Sequence, residues 1–375
     1  MRTSPAVLLA VATLTLPACA LSVEHQEGGA SVSVLERTVD RWAEEALASG
    51  VVAGFSIAVE KDGEMLVAKG YGMADIEQDV AAADDTVYRI GSITKQFTAA
   101  AIMRLVQDGE IDLQAPIQDY VDFPTGDHVV TVEHLLHHTS GIKSYTGLGW
   151  AWRRTVPLAV THDELLGLVR DEPFDFDPGA EYRYNNSGYY LLGVIIENLT
   201  GMTYSDYVEQ ELAAPLGLER TTYCDEKRII AGRAEGYEFE EGALVNDDPI
   251  SMTQPFAAGS MCSTVTDLLK WQTALENEEV VGAASYAQMT TSGILNNGER
   301  TEYGYGLGLR ELEGHRRVAH GGGINGFSTM LVSFPDDRVR ITVLTNTPGP
   351  TAGPLTNRIE REVLGLGPAP EAEQE

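Results

Sequence analysis

The sequence predicts an α+β fold in which both ends of the chain build one strand-bearing part and the middle supplies a mainly helical part. Three observations carry this. Strand-like segments cluster near residues 54–71 and return at 303–346, while the stretch between is dominated by helical spacing and long loops. The chain also has 375 residues, more than one small core can hold, so a composite domain or two domains are expected. The strand-bearing part is placed at about 33–110 and 251–367, and the inserted helical part at about 111–250.

From Ser33 to Ala48, Val34, Leu35, Val39, Trp42, Ala43 and Ala46 fall near helical spacing, predicting a first helix that stops at Gly50. Gly54–Glu60 and Met65–Tyr71 are strand-like and flank Lys61-Asp62-Gly63-Glu64, a hairpin turn with Asp-Gly at its centre. Thr94–Gln107 is rich in helix formers, with Gly109 as its stop. In the middle, Thr161-His162-Asp163-Glu164 is a capping box. Ser187 or Asn186 caps a helix over Gly188–Asn198, and Thr203–Ala213 forms another before Pro215. The last third contains an amphipathic helix, Thr264–Leu275, and then strands at Tyr303–Leu312, Arg316–His320, Phe327–Phe334 and Arg338–Asn346. Pro335-Asp336-Asp337 turns the last two into a hairpin, and Pro354–Leu364 is helical. Residues 21–32 read as a polar tether, and 368–375 as a disordered acidic tail.

Composition excludes one function class. The formal net charge is −30, and no basic run exists to gather phosphates, so nucleic acid is not a partner. The acidic excess is read as a well-solvated surface. At the N-terminus, Arg2, the apolar run Ala6–Leu16 and Ala18-Cys19-Ala20 form a signal peptide over residues 1–20. Leu16-Pro17-Ala18-Cys19 also matches a lipoprotein processing site. Cleavage after Ala20 gives a soluble exported protein; cleavage before Cys19 gives a lipid-anchored one, the single route to a membrane. Downstream only Cys224 and Cys262 remain. Export permits a disulfide between them, and the sequence leaves the pairing open.

Three short motifs carry the chemistry. Ser92-Ile93-Thr94-Lys95 sets a hydroxyl and an amine one helical turn apart, where side chains at i and i+3 meet. A second Ser-x-x-Lys, Ser140 to Lys143, is followed by glycines and lacks a helix to hold its lysine over its serine. A serine hydroxyl needs a base, and a lysine serves once desolvation lowers its pKa. Tyr184-x-Asn186 occurs once, on a loop ahead of a helix. Tyr184 is positioned to share protons with Ser92 and Lys95, and Asn186 to fix a substrate amide. His320-x-Gly322 also occurs once and enters Gly321-Gly322-Gly323, a strand without side chains that a substrate backbone can approach. The amides of Ser92 and Gly323 together would form an oxyanion hole. Gly321, Gly323 and Gly326 formally match Gly-x-Gly-x-x-Gly, but a strand rather than a helix follows, so no dinucleotide site is expected.

Taken in this order, Ser92-x-x-Lys95, Tyr184-x-Asn186 and His320-x-Gly322 resemble the class C β-lactamase-like serine hydrolases, relatives of penicillin-binding proteins that include esterases and D-amino-acid peptidases. Leu135-Leu136-His137-His138-Thr139-Ser140-Gly141 and Phe176-Asp177-Pro178-Gly179 extend the likeness, which covers about residues 35–365. The resemblance implies a β-lactamase/transpeptidase-like fold, an antiparallel sheet flanked by helices with a helical insertion. It implies Ser92 as acylated nucleophile, Lys95 and Tyr184 as proton carriers, Asn186, His320 and Gly322 as substrate-binding residues, and Ser92 and Gly323 amides on the oxyanion. No cofactor is implied.

The function expected is an exported serine hydrolase acting through acyl-Ser92 on small esters, D-amino-acid amides or peptides, or β-lactams. Position 320 is His where many β-lactamases have Lys. An imidazole of ordinary pKa near 6.5 would bind a carboxylate better as pH falls through that value. One alternative is a penicillin-binding sensor that acylates without turnover. Another is a metal-dependent hydrolase built on His134, His137 and His138, although no His-Glu-x-x-His is present and no metal is expected. An α/β-hydrolase is excluded by the lack of Gly-x-Ser-x-Gly. Trp150 and Trp152 are read as packing the middle segment.

Overall fold

Alternating apolar residues on both faces of Gly54–Lys61 make it a central strand, and it lies where the two ends of the chain meet. The computed structural model describes Met1 and residues 33–369; the signal segment, Cys19, the tether and residues 370–375 of the expected tail lie outside the described residues. The main sheet has seven strands: β1 (Gly54–Lys61), β2 (Glu64–Asp75), β3 (Val80–Ala81), β4 (Gly308–Leu312), β5 (His315–Ile324), β6 (Phe327–Phe334) and β7 (Val339–Thr345). Their order is β3-β2-β1-β7-β6-β5-β4, antiparallel throughout. The N-terminal and C-terminal strands join where Phe55 stands opposite Thr345 and Lys61 opposite Val339.

Period-two alternation sends each strand's apolar residues to two cores. On one face Phe55, Ile57, Val59, Ile341 and Val343 pack with Val39 and Ala43 of helix α1 (Val34–Ala48). On the other, Ala58, Leu331 and Leu344 share a larger core with helix α2 (Thr94–Gln107), α3 (Asn186–Thr200) and α4 (Val265–Glu276). Phe97 of α2 stacks on Trp271 of α4 at 3.9 Å between ring centroids. Each such fully buried side chain contributes roughly 1.5–3 kcal/mol. A fifth helix, α5 (Ala352–Val363), closes the first core with Leu355 and Ile359.

Several boundaries differ from the sequence expectation. The expected strand Tyr303–Leu312 is strand only from Gly308; Tyr303 and Tyr305 are buried in a loop before it. The strand expected to stop at His320 runs on to Ile324, because the glycine triplet continues the pairing with β6. The cap of α3 is Asn185, not Ser187 or Asn186: its side chain accepts from the Gly188 amide at 2.8 Å. The helix expected over 203–213 is α-helical only at Tyr204–Tyr207, then turns π-helical over Val208–Ala213, just ahead of Pro215, which has no N–H to donate. Cys262, in the central strand Met261–Ser263 of a small three-stranded sheet, forms a disulfide with Cys224, their Cα atoms 5.2 Å apart.

Candidate active site

The turn that carries Ser92 exists because Gly91 can take a left-handed backbone. Gly91 has φ +51° and opens a 3₁₀ turn, Gly91–Ile93, which holds Ser92 and leads directly into α2. Ser92 thus sits in the 3₁₀ turn immediately ahead of α2. A Cβ on Gly91 would lie 3.1 Å from the Gly323 amide nitrogen, so the turn and β5 touch backbone to backbone. Gly322 serves the same approach from the other side. A Cβ there would fall within 2.3 Å of Thr329 Oγ1 and still closer to the Ile90 carbonyl. Its missing side chain therefore makes room for the Gly91–Ile93 turn. Thr329 Oγ1 donates to Ile90 O at 2.9 Å and fixes β6 to the residue before Gly91. On the open edge, β4 pairs with β5 only up to Ala319, opposite Gly308. Gly323 has nothing within 4 Å of where a Cβ would stand.

Lys95 is completely buried. Its Nζ reaches Ser92 Oγ at 3.2 Å, Asn186 Oδ1 at 2.8 Å and the Ala258 carbonyl at 2.8 Å. None of the three partners is a carboxylate. Burial holds the Lys95 pKa well below the usual lysine value. Its Nζ also lies over the Tyr184 ring, 4.7 Å from its centroid. The Tyr184 hydroxyl lies beside Ser92, and burial pushes its pKa up. The outer part of the residue stays open to solvent, at 38% exposure, while the hydroxyl lies deep. Ser92, Lys95, Tyr184 and Asn186 are therefore brought together. Asn186 is the first residue of α3 because Asn185 takes the capping role, which frees its amide for Lys95 and, at 3.3 Å, for Thr146 Oγ1.

His320 corrects the expectation of an imidazole titrating near 6.5. Its Nδ1 lies 2.7 Å from the Gly321 carbonyl and its Nε2 2.8 Å from the Tyr303 hydroxyl. The carbonyl can only accept, so the proton is on Nδ1 and Nε2 accepts from Tyr303. Burial, with Lys95 adding like charge, pushes the pKa down to about 3. The ring is neutral and both nitrogens are engaged, so it offers no cation to a substrate carboxylate. Beside it a cleft of about 310 Å³, lined by Tyr182, Tyr303, Gly308, Ala319, His320 and Gly321 among others, follows the open edge of β5.

The remaining candidates separate. Ser140 Oγ accepts from the Ile142 amide at 3.3 Å, and Lys143 pairs with Asp175, so the second Ser-x-x-Lys is not a unit. His134 caps its own helix through Thr131, His137 faces the Tyr303 carbonyl at 3.2 Å, and His138 turns inward among tyrosines. Among the described residues no three His, Cys, Asp or Glu side chains converge as metal ligands. Trp152 packs, donating to Gln254 Oε1 at 3.0 Å, whereas Trp150 is 78% exposed and does not. Sequence reading missed Ala258, a main-chain partner with no side-chain signature, and Tyr303, hidden in an expected strand. Gly91 was visible only as the residue preceding Ser92.

The Beta-lactamase family model matches residues 39–365. Among curated proteins, the chain is similar to Penicillin-binding protein 4* of Bacillus subtilis (strain 168), 28% identical over 78% of this chain and 67% of the relative. It is also similar to a D-aminopeptidase of Gluconobacter oxydans (strain 621H), 25% identical over 78% of this chain and 55% of the relative. The chain spans about two thirds or less of the length of the curated relatives it matches. Among solved structures, the octameric penicillin-binding protein homologue from Pyrococcus abyssi aligns at TM-score 0.78 and 31% identity, covering 88% of this chain and 78% of that one. A D-stereospecific amidohydrolase from Streptomyces sp. aligns at TM-score 0.75 and 27% identity, covering 88% and 99%.

Proposed function

The chain belongs to the Beta-lactamase family, and on that premise we propose that it is a serine hydrolase whose acyl-Ser92 intermediate turns over D-amino acid amides and short D-peptides. The observation that carries this is the environment of Lys95. As a free amine, Lys95 donates its two hydrogens to Asn186 Oδ1 and Ala258 O, which can only accept. Its lone pair is then left for the Ser92 hydroxyl.

The steps follow from that arrangement. Lys95 takes the hydroxyl proton as Ser92 Oγ bonds to the substrate carbonyl carbon, and the Ser92 and Gly323 amides stabilise the oxygen that becomes negative. Tyr184, beside Ser92, passes its hydroxyl proton to the leaving nitrogen as the C–N bond breaks, and the proton held on Lys95 replaces it. Water then attacks the acyl carbon and gives a proton to Lys95; the acyl C–Oγ bond breaks, Ser92 Oγ takes that proton back, and the acid is released. The substrate class is supported by two relatives, one named a D-aminopeptidase and one a D-stereospecific amidohydrolase. The neutral, fully engaged His320 favours neutral amides over substrates that need a cation for a carboxylate. Export is part of the proposal and is supported by the Cys224–Cys262 disulfide, a bond that persists in oxidising compartments.

The test is a panel: D- and L-phenylalanine amide, D-Ala-D-Ala peptides, p-nitrophenyl esters and a chromogenic cephalosporin, each with wild type and Ser92→Ala. Turnover of the D-amide, lost in Ser92→Ala together with labelling by a fluorophosphonate, is the expected result. Labelling that persists at another residue overturns the nucleophile. A burst without turnover on every substrate makes the protein a sensor instead.

A further inference from the structure

His138 stands outside the proton relay, yet it grips the residues on either side of Tyr184. Its carbonyl accepts from the Arg183 amide at 3.0 Å, and its ring Nδ1 accepts from the Asn185 amide at 3.1 Å. Between those two bonds sits Tyr184, with its ring 4.3 Å from the His138 ring, centroid to centroid. One residue therefore holds the preceding amide, the following amide and the ring of the tyrosine that meets Ser92.

This grip requires a specific form of the histidine. To accept from Asn185, Nδ1 must be unprotonated, so the single ring proton is on Nε2. Nε2 is buried and has no hydrogen-bond partner among the described residues; the rings of Tyr182, Tyr189 and Tyr303 surround the imidazole at 6.2, 4.9 and 4.7 Å between centroids. The backbone of His138 is itself left-handed, with φ +60°. A buried donor without an acceptor is unfavourable and calls for an explanation beyond packing. An apolar residue would fill the site without the buried N–H, but it would lose the contact to Asn185.

We propose that His138 is a positioning residue for Tyr184, its unprotonated Nδ1 setting the Arg183–Asn185 loop so that the tyrosine hydroxyl meets Ser92. The proposal rests on the acyl-Ser92 reading above and adds a residue that acts through another rather than on substrate. Displacing a proton carrier by about 1 Å can cost on the order of 10²-fold in rate.

Two variants test it. His138→Asn keeps an acceptor near the position of Nδ1, whereas His138→Leu keeps apolar volume and loses the acceptor. On the best substrate of the panel, His138→Leu is expected to lower kcat by about 10- to 100-fold with KM within about twofold, and His138→Asn to recover most of that loss. Fluorophosphonate still labels Ser92 in both variants, more slowly in His138→Leu, which separates this proposal from failure of the nucleophile itself. Should His138→Leu not fold, His138→Gln, whose amide reaches one methylene further, replaces it with the same expectation. Wild-type kcat in His138→Leu (or its replacement), or equal impairment with His138→Asn, overturns the proposal.

Discussion

Lys95 must be neutral to take a proton from Ser92, and its surroundings provide for that by burial rather than by a neighbouring charge. The sign of the pH dependence follows. As pH falls through the depressed Lys95 pKa, the amine is protonated and acylation is lost. On the alkaline side Tyr184 is pushed above the ordinary tyrosine value, so no second loss is expected until beyond that range. Replacing Lys95 by Met or Tyr184 by Phe should each lower kcat/KM by about 10²- to 10⁴-fold. Near-normal rates in both variants would contradict the assigned roles. His320 makes a separate prediction. With its pKa near 3 and both nitrogens bonded, it does not titrate near neutrality. Rates on carboxylate-bearing and neutral substrates should therefore run parallel from about pH 7 to about pH 5. A selective gain for carboxylates as pH falls would show a ring that does protonate there.

Gly322 shows how the elements place these residues. A methyl group there would meet the Ile90 carbonyl and Thr329 Oγ1 well inside contact distance, so β5 or the Gly91–Ile93 turn has to move. Gly322→Ala is expected to slow fluorophosphonate labelling of Ser92 by at least about tenfold while the sheet still folds, since misplacement at this scale is costly in rate. Gly323→Ala, with open space around the new methyl, should leave Tm unchanged. Equal Tm and equal labelling rates in wild type and Gly322→Ala would show that the turn tolerates separation from β5. The same elements mark what could be read beforehand. Three motifs in order, two hairpins and α2 to the residue were legible, because each is local: a spacing, a turn, a run of helix formers. Asn185 was missed as the cap because Asn-Asn-Ser offers three adjacent candidates, and only the fold decides which side chain turns back. Tyr303 and Ala258 were missed because their roles come from contacts across the chain. Tyr303 was assigned to a strand that begins only at Gly308, and Ala258 acts through a carbonyl that every residue has.

At the scale of the whole molecule, 56 acidic residues against 26 Lys and Arg leave a net charge of −30. Several of the less exposed acids are paired, as in Arg340 with Glu60 and Glu276 and Arg317 with Glu360. Acids on the surface repel one another, and salt shortens that repulsion from a Debye length of about 10 Å at 0.1 M to about 3 Å at 1 M. Salt should therefore raise Tm at neutral pH. Acid works through different groups. His134, His137, His138 and His320 all have pKa values lowered first by burial. Below about 6.5 the unfolded chain binds protons at these positions that the folded chain refuses, so stability falls as pH falls. For His320 the loss continues toward its folded value near 3, and each histidine contributes at most about 1.4 kcal/mol per pH unit. Protonation of surface carboxylates relieves repulsion only at lower pH, so the window from about 7 to 5 isolates the histidines. Calorimetric Tm measured across that window at low and high salt should show two separable effects: an upward offset from salt and a downward slope with acid. The slope should persist at high salt, because screening by ions does not reach buried rings. A Tm that is flat or rises on acidification would mean that these histidines take up protons inside the fold, and the neutral His138 and His320 on which the site depends would then be excluded.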